Sequence, residues 1–330
     1  MGSIYKAIFG ISEAETGFAR RGFRGGEGGV REVLEKVGHA FVFGYHVALE
    51  DSREAILVKR LAQIDHDYCG FAYEGAAMGL GLLDRLTPWN RNRVENFLKG
   101  PGEPHTYMVH VALGWVVARL PRPLSNHLLD QFSPHHASRI THQTPLDPLL
   151  RWLILDGYGF HEGFFHWPKY IEGAPAPARL HGYARRVFDQ GFGRSLWFVD
   201  GGDGERISRT ISGFGSERHA DLWSGIGLAS VYAGTVSDQA LRALRETAGE
   251  HWPSLGQGAA FAAKARHRAG NVTAYTERAS RILCNRSAAE AARLTDEALE
   301  NLPGNGPEPA YEVWRQRIQQ ALRSRKEIAK

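Results

Sequence analysis

The sequence predicts an all-α fold built from duplicated helical hairpins, and three observations carry that prediction. Apolar residues recur at helical spacing in nearly every segment between turn signals. Strand-like composition is confined to residues 41–47 and 195–199. An aromatic–x2–apolar–Gly/Ala pattern also returns in matching pieces. Tyr73, Ala76 and Ala77 are echoed 150 residues later by Trp223, Ile226 and Gly227. Phe41-x2-Gly44-Tyr45 with Ala48-Leu49 returns at an offset of 147 as Phe188-x2-Gly191-Phe192 with Ser195-Leu196. Leu113-Gly114 and Leu255-Gly256 lie 142 apart. Matches in one order at nearly equal offsets point to an internal duplication, and duplicated helical units leave a cavity or groove between copies. The expectation is one domain over residues 1–330, with pseudo-repeat halves 20–165 and 179–302. These halves would form a closed α/α toroid-like ring or a compact solenoid, with at most a few short strands.

The elements follow in order. Residues 53–64 place Ile56, Leu57, Leu61 and Ile64 at helical spacing, and residues 73–86 form a more deeply buried run. The helix over 107–120 ends at Pro121, which cannot continue it. Residues 146–155 are apolar nearly all round, as a helix buried on several sides requires. Residues 172–178 (EGAPAPA) are the linker-like seam near the midpoint. The second half is a near-continuous helical series over 205–211, 221–233, 237–249, 254–267, 273–283 and 288–302. Ser237 and Ser287 stand as N-caps. The segments 41–47 and 195–199 are read as short paired strands or connecting loops. Pro303-Gly304-Asn305-Gly306-Pro307 breaks the chain before an amphipathic helix over 308–330 with Tyr311, Trp314, Ile318 and Leu322 on one face. Trp252-x2-Leu255-Gly256 matches the start of a tetratricopeptide unit. The later Ala and Pro positions of that unit are not met, and no recurrence every 34 residues is read.

Composition narrows the function classes. With 330 residues, 43% apolar and 23% charged, the chain reads as soluble and globular. Two cysteines, Cys69 and Cys284, are too few for a disulfide framework or a cysteine zinc site, so a reducing cytoplasm is expected. The N-terminus has neither signal nor transit character, and the longest apolar runs are about half of the ~20 residues a membrane span needs. The net charge of +4 is carried by arginine (32 Arg against 8 Lys) and is interspersed with acids, so no nucleic-acid partner is expected. Arginine forks do suit carboxylates or phosphates, for instance on an acidic carrier protein. There is no nucleophile elbow, phosphate loop, dinucleotide fingerprint or Asp-rich metal cluster; no cofactor and no metal are expected.

Three groups of ionisable residues could carry chemistry. His161, Glu162 and His166 lie among Phe160, Phe164, Phe165 and Trp167, where polar groups form either a hydrogen-bonded core network or the polar tip of an apolar pocket. The spacing of His161 and His166 does not fit a helical zinc motif. Asp65, His66 and Asp67 combine two carboxylates with an imidazole whose pKa they would raise, in what is otherwise a solvated turn. Arg194 on a glycine-rich segment, with His219 and Asp221 ahead of Trp223, forms the third. The histidines and carboxylates are candidate general acids or bases, and Arg194 a candidate anion or enolate stabiliser. Tyr73 and Trp223 complete the expected apolar pocket. His135-His136 reads as loop.

Several blocks carry a resemblance. They are Arg20-Arg21-Gly22-Phe23, residues 70–79 (GFAYEGAAMG), residues 156–161 (DGYGFH) and above all residues 188–234 (FDQGFGRSLWFVDGGDGERISRTISGFGSERHADLWSGIGLASVYAG). Together they resemble a bacterial domain-of-unknown-function family encoded in enediyne polyketide and related natural-product gene clusters. The resemblance runs from Arg20 to Cys284 and brings no catalytic residues with it. It implies a place in secondary metabolism, where a helical fold with an aromatic interior could shield an unstable polyene from water. The expected function is a cofactor-independent cyclase or isomerase acting by proton transfer on a long apolar polyene or isoprenoid-like chain. A polyketide synthase or acyl carrier protein is the possible partner. The alternatives are a non-catalytic chaperone or scaffold for the intermediate, or a self-resistance protein that sequesters the product.

Overall fold

The computed structural model describes residues 2–87, 89–130, 132, 146–303 and 306–328. His135 and His136 lie outside them. Two short helices, α1 (Gly2–Phe9) and α2 (Phe18–Arg21), precede a series of long inner helices. The inner series comprises α3 (Val30–Glu50), α5 (Cys69–Leu86), α7 (Thr106–Arg119), α9 (Leu153–Ile171), α10 (Tyr183–Val199), α12 (Ser216–Tyr232), α14 (Trp252–Arg268) and α16 (Ala288–Glu297). Shorter helices flank it: α4 (Glu54–Leu61), α6 (Arg93–Lys99), α8 (Arg122–Asp130), α11 (Gly204–Ser212), α13 (Asp238–Thr247) and α15 (Ala274–Cys284). The last, α17 (Ala310–Ile328), packs on α14 and α16. Each inner helix packs on the next in the order given.

Glycines set these inner contacts. A Cβ on Gly191 would stand 1.8 Å from the Asp156 carbonyl oxygen, and one on Gly159 2.0 Å from that of Phe188, so α9 and α10 touch backbone to backbone. The same reciprocal arrangement joins Gly193 with Gly225, Gly227 with Gly258, Gly114 with Gly157, and Gly44 with Gly75. Gly157, Gly191 and Gly225 recur every 34 residues, with Gly258 following after 33. The 34-residue recurrence missed in the sequence is therefore present, carried by glycine rather than by tetratricopeptide signature residues. The matched pieces at 44 and 191, at 76 and 226, and at 114 and 256 all lie on inner helices. Their common pattern is the packing requirement of an inner helix.

The first and last parts of the series also touch. The Phe71 and Tyr232 rings meet edge to face at 5.0 Å, Arg266 Nη2 donates to the Asp67 carbonyl at 3.1 Å, and Arg268 pairs with Glu103. Arg24 N donates to the Val199 carbonyl at 2.6 Å. On α17, Tyr311, Trp314, Ile318 and Leu322 are buried as their spacing predicts, and each such burial contributes about 1.5–3 kcal/mol. Ser237 caps α13, and Ser287 forms a capping box with Glu290 on α16.

No strand occurs among the described residues, which corrects the reading of 41–47 and 195–199. These segments are the buried middle of α3 and the end of α10. Short aromatic and β-branched runs lose their helical periodicity when every side is covered, and so resemble strands.

The glycine contacts predict a sharp asymmetry in stability. Gly191→Ala would force α9 and α10 apart and cost about 3 kcal/mol or more, whereas Gly204→Ala, whose Cβ would meet nothing closer than Leu244 at 3.4 Å, would be near neutral. Chemical denaturation of the two variants measures the difference.

Candidate functional site

Close packing at the glycines fixes the residue just before each one. Glu74, Asp156, Gln190, Ser224 and Gln257 precede Gly75, Gly157, Gly191, Gly225 and Gly258, and all five are buried. Gln190 Nε2 donates to Asp156 Oδ2 at 2.7 Å, and Ser224 Oγ donates to Gln257 Oε1 at 2.9 Å. Arg194 Nη1 pairs with Asp156 Oδ1. Glu74 makes no ion pair among the described residues.

Glu74 and Arg194 line a cavity of about 50 Å³ between α3, α5, α7, α9, α10 and α12. Its other walls are largely aromatic: Phe71, Trp115, Phe160, Phe164, Phe165 and Tyr232. Arg194, Leu228 and Tyr232 also line a second space of about 30 Å³, bounded by Tyr311 and Trp314 of α17. As the rings stand, these spaces hold a few waters or a small apolar fragment; a longer chain requires rings to turn.

The carboxyl of Glu74 is pushed up to about 7. Burial is the main cause and Asp156 adds to it, while Arg194 and the Trp115 indole oppose it. A carboxyl raised toward neutrality lies in the range that suits proton transfer. Burial works against the charge on Arg194, but Asp156 and Glu74 more than offset it and hold its pKa above the ordinary value. Its guanidinium lies 4.9 Å over the Phe160 ring.

Of the ionisable residues singled out in the sequence, only Arg194 lines this cavity. Glu162 is tied down instead: Tyr170 Oη donates to it at 2.6 Å and Lys169 Nζ at 2.9 Å. Burial works against its charge, but the His161, Tyr170 and Lys169 contacts outweigh burial and hold its carboxyl at about 2. His161 is buried beside it, with Nδ1 3.7 Å from Glu162, and burial lowers its pKa. His166 sits half-exposed at a kink in α9. Asp65, His66 and Asp67 form an exposed turn between α4 and α5. Asp221 bridges Arg186 at 2.9 Å and Arg315 of α17 at 2.7 Å, and His219 Nε2 donates to the Phe214 carbonyl at 2.9 Å.

The expected pocket divides in the same way. Phe160, Phe164 and Phe165 line the cavity. Trp167 donates to the Arg21 carbonyl at 3.0 Å, Tyr73 stacks on His105 at 4.1 Å, and Trp223 is packed in the core. Among the described residues no three of His, Cys, Asp and Glu are grouped to hold a metal ion, and no helix is long and apolar enough to cross a membrane.

Fold and site together define an all-α protein with an aromatic cavity and, facing it, a buried carboxyl that makes no ion pair among the described residues. The chain belongs to the DUF1702 family, described as a protein of unknown function, whose model matches residues 1–322. No curated protein and no solved structure matches it.

Two measurements test these assignments. Because Glu74 titrates higher when folded than when unfolded, the folded state binds the extra proton, and its stabilising contribution is lost as pH rises from about 4.5 through 7. Buried His105, lowered to about 4 by desolvation, works in the opposite sense as pH falls through 6.5. The difference between wild type and Glu74→Gln isolates the carboxyl: the variant should gain about 2.5 kcal/mol relative to wild type between pH 5 and 8. Thermal unfolding across that range measures it. Asp221→Ala should cost about 3–5 kcal/mol by leaving Arg315 without its closest carboxylate, with ligand binding in the refolded fraction unchanged.

Proposed function

We propose that this chain is a cofactor-independent enzyme of natural-product metabolism that binds an apolar unsaturated molecule in the aromatic cavity and relocates a proton along it. The observation that supports this reading is Glu74, a fully buried carboxyl with a pKa near 7 facing an apolar cavity beside a fixed cation. In its ionised form Glu74 takes a proton from one carbon of a conjugated chain and returns it at another, so the double bonds shift and no atoms are gained or lost. The same transfer can initiate ring closure. Arg194 lies where charge delocalised on the substrate would be stabilised, and the aromatic walls exclude water. The resemblance to proteins of enediyne clusters suggests a polyene or isoprenoid-like substrate, supplied by a polyketide synthase or its carrier protein in the cytoplasm. A chain of that length spans both spaces once Tyr232 and Leu228 move aside.

Binding without chemistry is the second reading, favoured by how little of the cavity wall is polar. One experiment separates the two. The protein is incubated with a conjugated polyene, and movement of its double bonds is followed by absorbance and by NMR of the product. The enzyme reading expects isomerisation that falls by about 10²-fold or more in Glu74→Gln and persists in His161→Ala. Binding with no isomerisation in wild type, or equal rates in Glu74→Gln, refutes the assignment of Glu74.

A further inference from the structure

Among the described residues, four arginines are less than a tenth exposed: Arg194, Arg218, Arg266 and Arg315. Three have carboxylate partners: Asp156 for Arg194, Asp189 for Arg218, and Asp221 with Glu312 for Arg315. Arg266, 4% exposed, has none among the described residues. Its guanidinium donates only to carbonyl oxygens, those of Asn271 at 3.1 Å, Asp67 at 3.1 Å and Tyr232 at 2.6 Å, and its Nε is buried without a partner. Two of these carbonyls lie at or beyond the ends of α12 and α14, where helix dipoles supply partial negative charge. A full counter-charge is still missing.

Arg266 lines a surface cleft of about 220 Å³ with Asp67, Tyr68, Phe71, Tyr232 and Tyr275. Asp67 is its one carboxylate, and it is exposed to solvent at the rim. The cleft wall includes Thr235 at φ 101°, a conformation that a β-branched residue adopts only under strain. Phe71, Tyr232 and Ala233 line both this cleft and the cavity that holds Glu74. The cleft and the cavity thus share these side chains as a common wall.

We infer that the cleft seats the carboxylate head of the ligand on Arg266 while its apolar chain passes Phe71 and Tyr232 to reach Glu74. The substrate class is then an unsaturated carboxylic acid rather than a hydrocarbon, alcohol or ester. This rests on the aromatic cavity being the ligand site. It gives Asp67 a location at the mouth of the site in place of a catalytic role.

The test uses parinaric acid, a conjugated tetraenoic fatty acid, against its methyl ester, with energy transfer from tryptophan as readout. Wild type should bind the acid about tenfold or more tightly than the ester. Arg266→Gln should lose that preference by weakening acid binding alone, and Arg266→Lys should keep part of it. Glu74→Gln should bind both ligands with the preference intact. Equal affinity of wild type for acid and ester overturns the head-group site and leaves the cavity reading standing. A short acid, hexanoate, probes the cleft without needing the cavity. It should raise the Tm of wild type above an equimolar chloride control, and not that of Arg266→Gln. If neither polyene binds, the cavity reading fails, and the hexanoate arm still decides the Arg266 site, which falls if hexanoate gives no shift.

Discussion

Backbone contact between inner helices, made at paired glycines, is the constraint on which the rest of this structure depends. Where Gly159 and Gly191 meet, there is no space for a Cβ on either helix. Neighbouring helices are therefore locked in rotation as well as in distance, because turning either one would drive a side chain into the opposing backbone. The residue before the glycine and the residue three after it are then fixed in direction. Glycine weakens an isolated helix by roughly 1 kcal/mol relative to Ala, so this packing is what recovers the helices' stability.

The rotation lock explains why polar residues can sit inside an otherwise apolar protein. Gln190 and Asp156, and Ser224 and Gln257, hydrogen-bond across neighbouring helices because the glycines bring those positions together. From α10 to α14 this strip is covered by α17, whose Tyr311, Glu312 and Arg315 reach Gln190, Arg186, Asp221 and Gln257. Burying so many ions costs hydration that only a complete network offsets, and here most carboxylates and guanidinium groups are paired. Glu74 lies outside the reach of α17. Its raised pKa follows from being a member of the same strip without a partner of its own.

The helices were legible in the sequence because their periodicity, caps and proline stops act locally. The site was less so. His161, Glu162 and His166 stand out because they are clustered along the chain, yet clustering lets Tyr170 and Lys169 bind Glu162 directly and hold it as an anion. Glu74, a single carboxylate in the run CGFAYEGAAMGLGLL, reads as one polar residue on a buried helix. Its raised pKa reflects burial together with Arg194, Asp156 and Trp115, which are distant in sequence and adjacent only after the inner helices have packed. One signal was available. A polar residue precedes Gly75, Gly157, Gly191, Gly225 and Gly258, and a comparison of those five positions would have placed Glu74 and Asp156 beside Gln190.

That register also locates where the repeat departs from its own rule. Three residues after the glycine stand Met78, Phe160, Arg194, Leu228 and Phe261 in α5, α9, α10, α12 and α14. Four of these are apolar, and Phe160, Leu228 and Phe261 line the two inner spaces. Arg194 alone places a charge there. One position before the glycine, the neutral Gln190, Ser224 and Gln257 give way to acids at Glu74 and Asp156. A purely structural strip requires neither change: an apolar residue at 194 and an amide at 74 would pack with less desolvation and leave no titrating group. Asp156 can be explained as the partner that makes Arg194 tolerable. Glu74 adds to that compensation through its charge without forming an ion pair among the described residues, and its position at the cavity wall is where a proton-transfer group would be useful.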